Sequence, residues 1–374
     1  MKVEILKTNF KTGLNIIEKI IGKNLSLPIL DNVLITTEDS FLKLTSTDLE
    51  TAIKWWILAK ISKKGKIIVP ARFLSNFISL LPEEKIILEE KNQALLIECK
   101  NYKTQIQGFN PDDFPIIPEV KDLDFIEVDS ERFSIGLSQI VDVTSPSQAR
   151  PEISGIYFRF LIDSIKMVAT DSFRLAEKTI LLDKKNNKER SFILPQKPAR
   201  EIINILGERK GRVKIYFSPN QVLFEFPMEE ISHPQVHVLS RLIEGEYPNY
   251  QEIIPKKFKT NIIVKKDEFL NQIRAAALFG GKINEVKFTI NPKKKEIEIF
   301  AQSPNIGEFK SVLSAKIEGE LIETSFNYKF LIDGLLNIKS SEVIFGLSRE
   351  DGPSVLRPVG DASYIYIAMP IKTT

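Results

Sequence analysis

Apolar residues recur along this chain with two alternating periods. Spacings of three and four residues, which predict one buried face of an α-helix, start at six places: Phe10, Phe73, Phe133, Ala199, Phe269 and Tyr328. Short runs rich in β-branched and aromatic residues separate them, among them KIIVP, KIILEE, ALLIECK, RVKIYFS, QVLFEFP and EIEIF. Helices separated by several short strands predict an α+β protein, in which helices pack on one side of antiparallel sheets.

The chain also contains an internal repeat. TSTDLETAI at 45–53 returns as VATDSFRLAEKTI at 168–180, and IIVPARFLSNFISLLP at 67–82 returns as FILPQKPAREIINILG at 192–207. A weaker third copy, TSFNYKFLIDGLLNIKSSE, occupies 324–342. Two proline-containing connectors, at 109–120 and 245–258, separate the copies, because proline biases the residue before it away from helix. We therefore predict three copies of one domain, at 1–125, 126–255 and 256–374, each with two helices.

Composition excludes several classes of protein. Of the 374 residues 43% are hydrophobic and 27% are charged, and no apolar run approaches the ~18 residues of a membrane span. The N-terminus MKVEILKTNF lacks the apolar region of a signal peptide, so we expect a cytoplasmic location. A single cysteine, Cys99, cannot form an internal disulfide, and one thiol with two histidines is a poor ligand set for a metal.

The sequence lacks the common catalytic and nucleotide-binding motifs, such as GxGxxG, GxxxxGK[ST], HExxH and GxSxG. His233 and His237 lie in a proline-broken, strand-like stretch where residues four apart do not share a helical face. Asp48 and Asp171 could suggest paired carboxylates, but they hold the same position in two repeats, which favours a role in a turn. Gly280-Gly281 is interpreted as the end of the preceding helix. We expect no catalytic residue, cofactor or metal site.

Basic residues lie on the polar faces of the six predicted helices. The helical segments 10–22, 71–81, 130–143, 195–206, 266–282 and 327–339 together carry a net charge of +4, against +3 for the whole chain. One interpretation is that solvated helix faces commonly carry Lys and Arg. The other is a surface of equivalent helices that contacts the phosphates of a polyanion and reads no bases. In the second helix the predicted buried face is Phe73, Phe77, Leu80 and Leu81, with Ser75 on the polar side.

Motifs in a fixed order resemble those of one family, the bacterial sliding clamp, which is the beta subunit of DNA polymerase III. They are LSLPILDNVLI (25–35), TSTDLE (45–50), VPARFL (69–74), DDFP (112–115), RPEISGIYF (150–158), VATDSFRLA (168–176), EGEYPNY (244–250) and YIYIAMPIK (364–372). The resemblance implies three α+β clamp domains per chain and a homodimeric ring whose twelve helices surround duplex DNA. It also implies a processivity factor without catalytic activity, which tethers the replicative polymerase and is loaded by a separate ATP-driven clamp loader.

Helix position and this resemblance together select the residues expected to approach DNA. Nine are chosen from the predicted helices: Lys11, Lys19, Arg72, Lys197, Arg200, Arg274, Lys282, Lys329 and Lys339. Two more, Lys23 and Arg150, lie in loops where the family also approaches DNA. Many relatives have a basic residue where this chain has Asn24.

The resemblance further implies a hydrophobic cleft between the second and third domains. In the family this cleft accepts a short linear motif of polymerases, the clamp loader and repair proteins. The matching residues are Thr170, Arg174, Leu175, Pro248, Met369 and Pro370, with Ile153, Ile253 and Ile367 where the family has aliphatic side chains. Phe173 stands where histidine is common and Glu252 where some relatives have arginine, so the preferred peptide is expected to differ. Replacing Leu175 and Met369 by Ala is expected to weaken peptide binding and leave the ring intact.

For the ring interface we expect the edge strand YKTQIQ (102–107) of the first domain to meet the third domain, with Ile106, Leu278 and Ile283 at the seam. Alternatives remain open at this point. One is an enzyme that uses Asp48, Asp171 or the histidines. Another is an interaction scaffold that has lost DNA, and a third is a non-replicative clamp kept beside the main one.

Overall fold

The computed structural model describes residues 1–22, 27–120, 124–147, 149–207, 209–229 and 231–372. Within this part of the chain the α-helices are α1 (Lys7–Ile17), α2 (Ala71–Leu80), α3 (Ser130–Ser138), α4 (Gln196–Leu206), α5 (Lys266–Ala277) and α6 (Tyr328–Leu336). None of these helices is long and apolar enough to cross a membrane.

The strands fall into three groups along the chain. The first group is β1 (Lys2–Leu6), β2 (Asn32–Glu38), β3 (Phe41–Thr47), β4 (Thr51–Leu58), β5 (Lys60–Lys63), β6 (Lys66–Pro70), β7 (Lys85–Lys91), β8 (Ala94–Cys99) and β9 (Tyr102–Gln107). The second is β10 (Phe125–Asp129), β11 (Gly155–Phe160), β12 (Ser164–Thr170), β13 (Arg174–Leu181), β14 (Arg190–Pro195), β15 (Arg212–Phe217), β16 (Gln221–Pro227) and β17 (Pro234–Arg241). The third is β18 (Thr260–Lys265), β19 (Glu285–Asn291), β20 (Glu296–Ser303), β21 (Gly307–Ser314), β22 (Lys316–Gly319), β23 (Ile322–Asn327), β24 (Glu342–Leu347), β25 (Ser354–Pro358) and β26 (Tyr364–Ala368).

The chain divides into two compact units, Met1–Ser134 with Lys197–Leu242, and Ile135–Gln196 with Ile243–Thr374. Unit 1 contains a five-stranded sheet in the order β5-β1-β7-β8-β9 and an eight-stranded sheet in the order β10-β15-β16-β17-β4-β3-β2-β6. Unit 2 contains a nine-stranded sheet in the order β14-β11-β12-β13-β26-β25-β24-β18-β22 and a four-stranded sheet in the order β21-β20-β19-β23. The paired strands are antiparallel, as predicted.

The same topology occurs three times. Each group of strands forms one antiparallel set in the order of β6-β2-β3-β4, β14-β11-β12-β13 and β23-β19-β20-β21. Each also forms a second set in the order of β1-β7-β8-β9, β10-β15-β16-β17 and β18-β24-β25-β26. The structure therefore confirms the predicted repeat with two helices in each copy. The exact domain boundaries at 125 and 255 stay a prediction.

Two of the sheets continue from one repeat into the next. In unit 1 strand β4 pairs with β17 over five residue pairs, from Val236–Trp55 to Ser240–Thr51. In unit 2 strand β13 pairs with β26 over five pairs, from Arg174–Ala368 to Lys178–Tyr364. We call these pairings the first seam and the second seam. Each seam satisfies strand edges that would otherwise expose unpaired backbone groups.

Glycine allows the first helix of a repeat to approach its sheet closely. A Cβ atom at Gly13 of α1 would lie 2.7 Å from the indole of Trp55, and one at Gly136 of α3 would lie 2.8 Å from the Met167 methyl group. Both distances are shorter than ordinary carbon contacts, so a larger residue would require these side chains or the helix to shift. The glycine places the helix against one face of the sheet, and the opposite helix face stays polar.

The predicted apolar face of α2 is only partly right, because Leu81, just after the helix, is buried and Phe77 is half-buried, but the other two predicted residues are exposed. Its buried residues are Ala71, Leu74, Ser75 and Ile78, whereas Phe73 is 59% exposed and Leu80 is 78% exposed. Apolar residues occur all around this helix, so periodicity alone could not decide which side the sheet would cover. Ser75, predicted on the polar side, is 4% exposed. The predicted strands KIIVP, KIILEE, ALLIECK, RVKIYFS, QVLFEFP and EIEIF are confirmed as β6, β7, β8, β15, β16 and β20.

Candidate functional site

A tight turn joins β12 to β13 at the second seam. The Thr170 hydroxyl donates a hydrogen bond to the backbone carbonyl of Arg174 (2.7 Å). Asp171 Oδ1 accepts hydrogen bonds from the backbone N–H groups of Phe173 (3.0 Å) and Arg174 (2.9 Å). Ser172 takes the left-handed conformation, with φ of 76°. The side chains of Thr170 and Asp171 thus replace the missing backbone partners of the turn.

The turn between β3 and β4 at the first seam has the same construction. Thr47 donates to the carbonyl of Thr51 (2.9 Å), and Asp48 Oδ1 accepts from the N–H groups of Glu50 (3.1 Å) and Thr51 (2.7 Å). Leu49 has φ of 75°. The interpretation of Asp48 and Asp171 as turn residues is confirmed. We call these two structures the Thr-Asp turns.

Each Thr-Asp turn is tied by an ion pair to the second helix of the following repeat. In unit 1 the ammonium group of Lys197, near the start of α4, contacts Asp48 Oδ2. In unit 2 the polarity is reversed, because Arg174 of the turn contacts Asp333 Oδ2 of α6 at 2.5 Å. Both turns are therefore held from two sides, by their own hydrogen bonds and by a helix.

Arg174 makes several contacts at once within unit 2. Its Nε donates to Asp171 Oδ2 (2.9 Å), its Nη1 to Asp333 Oδ2 (2.5 Å) and its Nη2 to the carbonyl of Asp142 (3.2 Å). The guanidinium carbon lies 4.8 Å from the ring centre of Phe330, a distance at which a cation and an aromatic face attract. The Arg174 side chain is 13% exposed. Burial lowers the pKa of its guanidinium, but the contact with Tyr366 and the hydrogen bonds that Arg174 donates to Asp171 and Asp333 outweigh this and raise the pKa overall.

A buried apolar cluster lies beside this turn. Leu175 faces Ile367 across the second seam, and both belong to a buried cluster with Ile153. Tyr247 and Tyr250 cover the cluster, and the Tyr250 hydroxyl donates to Glu177 Oε2 at 2.6 Å. Burial and this carboxylate raise the pKa of Tyr250 well above its ordinary value. Three predicted cleft residues, Ile153, Leu175 and Ile367, thus lie together in one buried cluster.

The remaining predicted cleft residues form a partly exposed rim. Thr170, Arg174, Pro248, Met369 and Pro370 are half-buried, and Ile253 is exposed. The backbone N–H of Met369 donates to the carbonyl of Phe173 (2.8 Å), which joins the C-terminal segment to the turn. Pro248 lies between the two tyrosines of the connector and accepts from the N–H of Tyr250 (2.7 Å).

Sequence reasoning missed three residues of this region. Phe173, noted only as a departure from the family, is 63% exposed and stacks on Phe330 with a centroid distance of 6.5 Å. Asp333 holds Arg174 from α6. Phe330 and Asp333 lie far from the turn in sequence, so nothing local in the chain indicates that they contact it. Phe173 could have been noticed, because an exposed aromatic side chain in a turn motif is unusual.

The predicted DNA-facing residues are at the surface of their units. Lys19, Arg72, Arg150, Lys197, Arg200, Arg274, Lys282, Lys329 and Lys339 are exposed and Lys11 is half-buried. Lys19, Lys282 and Lys339 lie in the turns that follow α1, α5 and α6 rather than inside those helices. Lys23 and Asn24 lie outside the described residues.

Several of these cations already contact their own chain. Arg72 Nη2 donates to the carbonyl of Ile21 (3.1 Å) and Lys197 Nζ donates to the carbonyl of Ile20 (3.2 Å). The segment after α1 therefore contacts the first turns of both α2 and α4. Arg150 Nε contacts Glu152 Oε1 (3.1 Å) and its Nη1 donates to the Ser172 hydroxyl (3.2 Å). Arg150 therefore lies over the second Thr-Asp turn, and part of its charge is already balanced.

The predicted interface residues lie near two sheet edges. Strand β9 pairs with β8 and strand β21 with β20, and among the described residues neither has a partner on its other side. Exposed Leu278, Ile283 and Ile306 line a concavity of about 850 Å³ beside β20 and the turn that precedes β21. Ile106, however, is 5% exposed. Its side chain points into its own sheet's core, because side chains alternate across a strand, and its place at the seam stays a prediction.

The two histidines pack around one tryptophan in unit 1. His237 Nε2 lies 3.1 Å from Glu225 Oε2, and its ring meets that of Trp56 edge to face at 4.7 Å. The His237 hydrogen bond, assisted by Lys214, lowers the pKa of Glu225 to about 2. Among the residues that the structure describes, no group of three or more His, Cys, Asp and Glu side chains is placed to hold a metal ion.

Three family profiles match the chain in succession. They are the N-terminal domain (residues 1–118), the central domain (127–249) and the C-terminal domain (251–372) of the DNA polymerase III beta subunit. The chain belongs to the DNA polymerase III beta-subunit family. Membership confirms the predicted α+β fold of three clamp domains. It also places the chain among processivity factors rather than enzymes, and this conclusion rests on the family.

Relatives within the beta-subunit family match the whole chain. The beta sliding clamp of Bacillus subtilis is 28% identical over 385 residues, with 100% of both chains covered. That of Staphylococcus aureus (strain N315) is 29% identical over 387 residues, again with 100% of both covered. The crystal structure of the DNA polymerase sliding clamp from Bacillus subtilis matches with a TM-score of 0.94 at 27% identity and 100% coverage of both chains. The beta subunit of Streptococcus pyogenes matches with a TM-score of 0.93 at 25% identity, with 100% of both chains covered.

Proposed function

We propose that this protein is a DNA sliding clamp that works as a ring of two identical chains around duplex DNA. The ring tethers the replicative polymerase, is opened by a separate clamp loader and docks further partner proteins. Family membership supports the clamp function. A clamp must move along DNA, so its cations should attract phosphates without reading bases, since a base contact would hold it at particular sequences. Exposed Lys and Arg side chains on the helices suit this task.

The observation that carries the ring is that β9 and β21, the strands equivalent to those paired at the two seams, have no partner on their outer side within the described part of the chain. Each seam joins the last strand of a hairpin in one repeat to the last strand of the next repeat, β4 to β17 and β13 to β26. If the same rule continues, β21 of the third repeat requires a partner equivalent to β17 and β26. That strand is β9 of a first repeat, so β21 of one chain would pair with β9 of another. Two such contacts close a head-to-tail dimer.

The repeats also predict the register of this third seam. Ala52 faces Leu239 and Leu175 faces Ile367. Within its own hairpin, Ala52 pairs with Thr47 and Leu175 pairs with Thr170. The equivalent pair in the third repeat is Gly307 with Ser303. On the other side of each seam, Leu239 pairs with Leu223 and Ile367 pairs with Val355. The equivalent pair in the first repeat is Ile106 with Leu95. Gly307 should therefore face Ile106 of the partner chain.

Facing of the side chains supports this register. With Gly307 opposite Ile106, Glu308 would lie opposite Gln105, and both of these side chains are exposed. The next pair, Phe309 and Thr104, is half-buried on both strands. A shift by one residue would place inward side chains opposite outward ones, which strand pairing does not tolerate.

The test is a cysteine cross-link. Gln105→Cys with Glu308→Cys should form a disulfide-linked dimer under mild oxidation, because directly opposed residues bring their Cα atoms within the range of a disulfide. The matched control is Lys103→Cys with Glu308→Cys, which is two residues out of register and should link far less. Equal linking of both pairs would contradict the register. A wild-type chain that sediments as a monomer at every concentration would contradict the ring.

For the partner cleft we propose the apolar floor of Ile153, Leu175 and Ile367 together with the rim around Phe173 and Met369. Continuity between an aliphatic floor and an exposed aromatic side chain suits an extended peptide with one or two anchoring side chains. The double change at Leu175 and Met369 is a poor test, because Leu175 belongs to the buried cluster and its truncation would cost about 2–5 kcal/mol of stability.

A better test leaves the buried cluster intact and changes exposed Phe173 and half-buried Met369. Overlapping 15-residue peptides that cover the cognate replicative polymerase would be titrated against the clamp by fluorescence anisotropy. Phe173→Ala with Met369→Ala should weaken the tightest peptide by about tenfold, a typical effect of losing an anchor contact. Leu181→Ala, which removes another exposed apolar side chain from β13, serves as the control and should change little. Equal affinity of all three proteins would contradict the cleft.

A further inference from the structure

Arg174 is not free to bind a carboxylate of a partner. Asp171 and Asp333 each accept one of its N–H groups, and the carbonyl of Asp142 accepts another. Two carboxylates thus face one guanidinium, so the positive charge is already balanced within the chain. Beside it exposed Phe173 stacks on half-buried Phe330. The nearby cation Arg150 is itself paired with Glu152 and donates to Ser172. The wall of the cleft is therefore apolar at the place where the sequence alone suggests a cation.

Asp333 is the contact that comes from outside the turn. It lies on α6, 159 positions from Arg174, and half of its carboxylate faces solvent. The backbone of α6 is fixed at the same point, because the Tyr366 hydroxyl donates to the carbonyl of Phe330 (2.8 Å) and Asn337 Nδ2 to that of Asp333 (3.0 Å). The α6 backbone is thus held in place, and the contact between Asp333 and Arg174 fixes the turn relative to this helix.

The first Thr-Asp turn supports the same interpretation independently. There Lys197 of α4 contacts Asp48 of the turn, so both turns are held by the second helix of the next repeat even though the charges are exchanged. The two contacts have opposite polarity, so what the two turns share is the tie between turn and helix. It is not explained by a ligand that needs one particular charge.

We propose that Asp333 is a positioning residue for the partner cleft, which neutralises Arg174 and holds the Thr-Asp turn against α6 so that the cleft presents the Phe173–Phe330 wall to its peptide. This inference rests on the proposed function of the cleft. It predicts what the cleft selects. Peptides with a neutral residue beside their anchor are accepted, and those with an acidic residue there gain nothing from Arg174.

The experiment compares Asp333→Asn with the wild-type chain on two fluorescein-labelled peptides. Both are built on the tightest polymerase peptide and differ at one residue beside the anchor, Asn in one and Asp in the other. In Asp333→Asn the guanidinium loses one balancing charge, so the affinity ratio of the Asp peptide to the Asn peptide should rise by roughly fivefold, as expected for a partly exposed charge pair. A purely structural loss would weaken both peptides equally and leave the ratio unchanged.

Two further variants complete the test. Asp333→Glu keeps the charge and should restore the wild-type ratio. Asp351→Asn, which removes an exposed carboxylate paired with Arg349, should leave the ratio as in the wild type. An unchanged ratio in Asp333→Asn, with peptide binding retained, would overturn the positioning role alone. A wild-type chain that binds neither peptide would overturn the cleft itself, and this inference with it.

Discussion

At the scale of single residues, Glu225 carries a clear charge effect on β16, the strand next to the first seam. The Glu225 carboxylate on β16 contacts His237 Nε2 and the ammonium group of Lys214, each at 3.1 Å. These partners favour the charged carboxylate, and they outweigh the burial that opposes it. A carboxyl group whose pKa is lower in the folded than in the unfolded chain stabilises the fold above its unfolded pKa, and this stabilisation disappears as the pH falls.

The first prediction concerns this carboxylate. Glu225→Gln should lower the free energy of unfolding at pH 7 by about 1 kcal/mol after allowance for solvent screening. The difference between variant and wild type should persist down to pH ~4.5, the ordinary pKa, and shrink between there and pH ~2, where the folded group takes up its proton. Urea unfolding followed by circular dichroism at several pH values measures it. Glu98→Gln, at an exposed pair with Lys103, should show no comparable trend, and a pH-independent difference for Glu225→Gln would contradict the mechanism.

The second prediction concerns backbone conformation. Gly319 at the end of β22 has φ of 124°, and a Cβ there would lie 2.0 Å from the carbonyl of Lys259. Gly211 has nearly the same φ, 129°, with nothing within 4 Å of a Cβ. Gly319→Ala should therefore cost at least 2 kcal/mol more than Gly211→Ala, because it adds a collision to the shared strain, by about the amount typical of overpacking. Equal melting temperatures of the two variants would show that the strand moves freely.

At the scale of elements, the Thr-Asp turns hold the seams in register. Each turn directly precedes a strand, β4 or β13, that pairs with a strand of the next repeat. The geometry of the turn therefore decides which residue of that strand begins the pairing. An aspartate that accepts two backbone N–H groups fixes that geometry locally. The ion pair to α4 or α6 then fixes the turn relative to a helix, which neither the strand nor the turn could do alone.

The third prediction separates these two contributions at the first turn. Asp48→Asn keeps the Oδ1 acceptor and loses the charge facing Lys197, so unfolding should become easier by less than about 1 kcal/mol. Asp48→Ala loses the ion pair and both turn hydrogen bonds, with an expected cost of about 2–3 kcal/mol. Urea unfolding of both variants measures the difference. Equal losses would mean that the turn hydrogen bonds contribute nothing.

At the scale of the whole molecule, the cations on the helices are expected to act together. The logarithm of the binding constant for duplex DNA falls with the logarithm of salt concentration, with a slope of about 0.9 per neutralised phosphate. Helix cations that contact phosphates should therefore each contribute to this slope. Cations elsewhere on the surface should not.

The fourth prediction compares two pairs of substitutions in the third repeat. Arg274→Ala with Lys329→Ala removes exposed cations from α5 and α6, and should reduce the salt slope by about 1 per residue and per chain. Lys293→Ala with Lys294→Ala removes the same charge from the β19–β20 turn and should leave the slope nearly unchanged. Anisotropy of a labelled duplex between 50 and 200 mM salt measures both, with the salt range set by the usual sensitivity of such contacts. Equal slopes would make the helices an ordinary charged surface.

Topological retention gives a measurement at the same scale. Once loaded on a nicked circle the clamp should stay bound when salt is raised and leave when the circle is cut, because a closed ring does not need strong contacts. A protein that binds circles and linear DNA equally would not be a ring. The cross-linked Gln105→Cys and Glu308→Cys dimer should stay on circles if it is linked after loading.

The sequence alone determined the α+β class, the three repeats, the helices and the strand-forming runs that it singled out, and it identified the Thr-Asp turns. These follow from side-chain periods of 2 and 3.6 residues and from repeated short motifs, which are local properties of the chain. Tertiary structure alone decided which face of α2 is buried, which strands meet at the seams, and that Asp333 balances Arg174. The backbone groups that pair strands are the same in every residue, and two side chains 159 positions apart leave no trace of their contact until the sheet between them has formed.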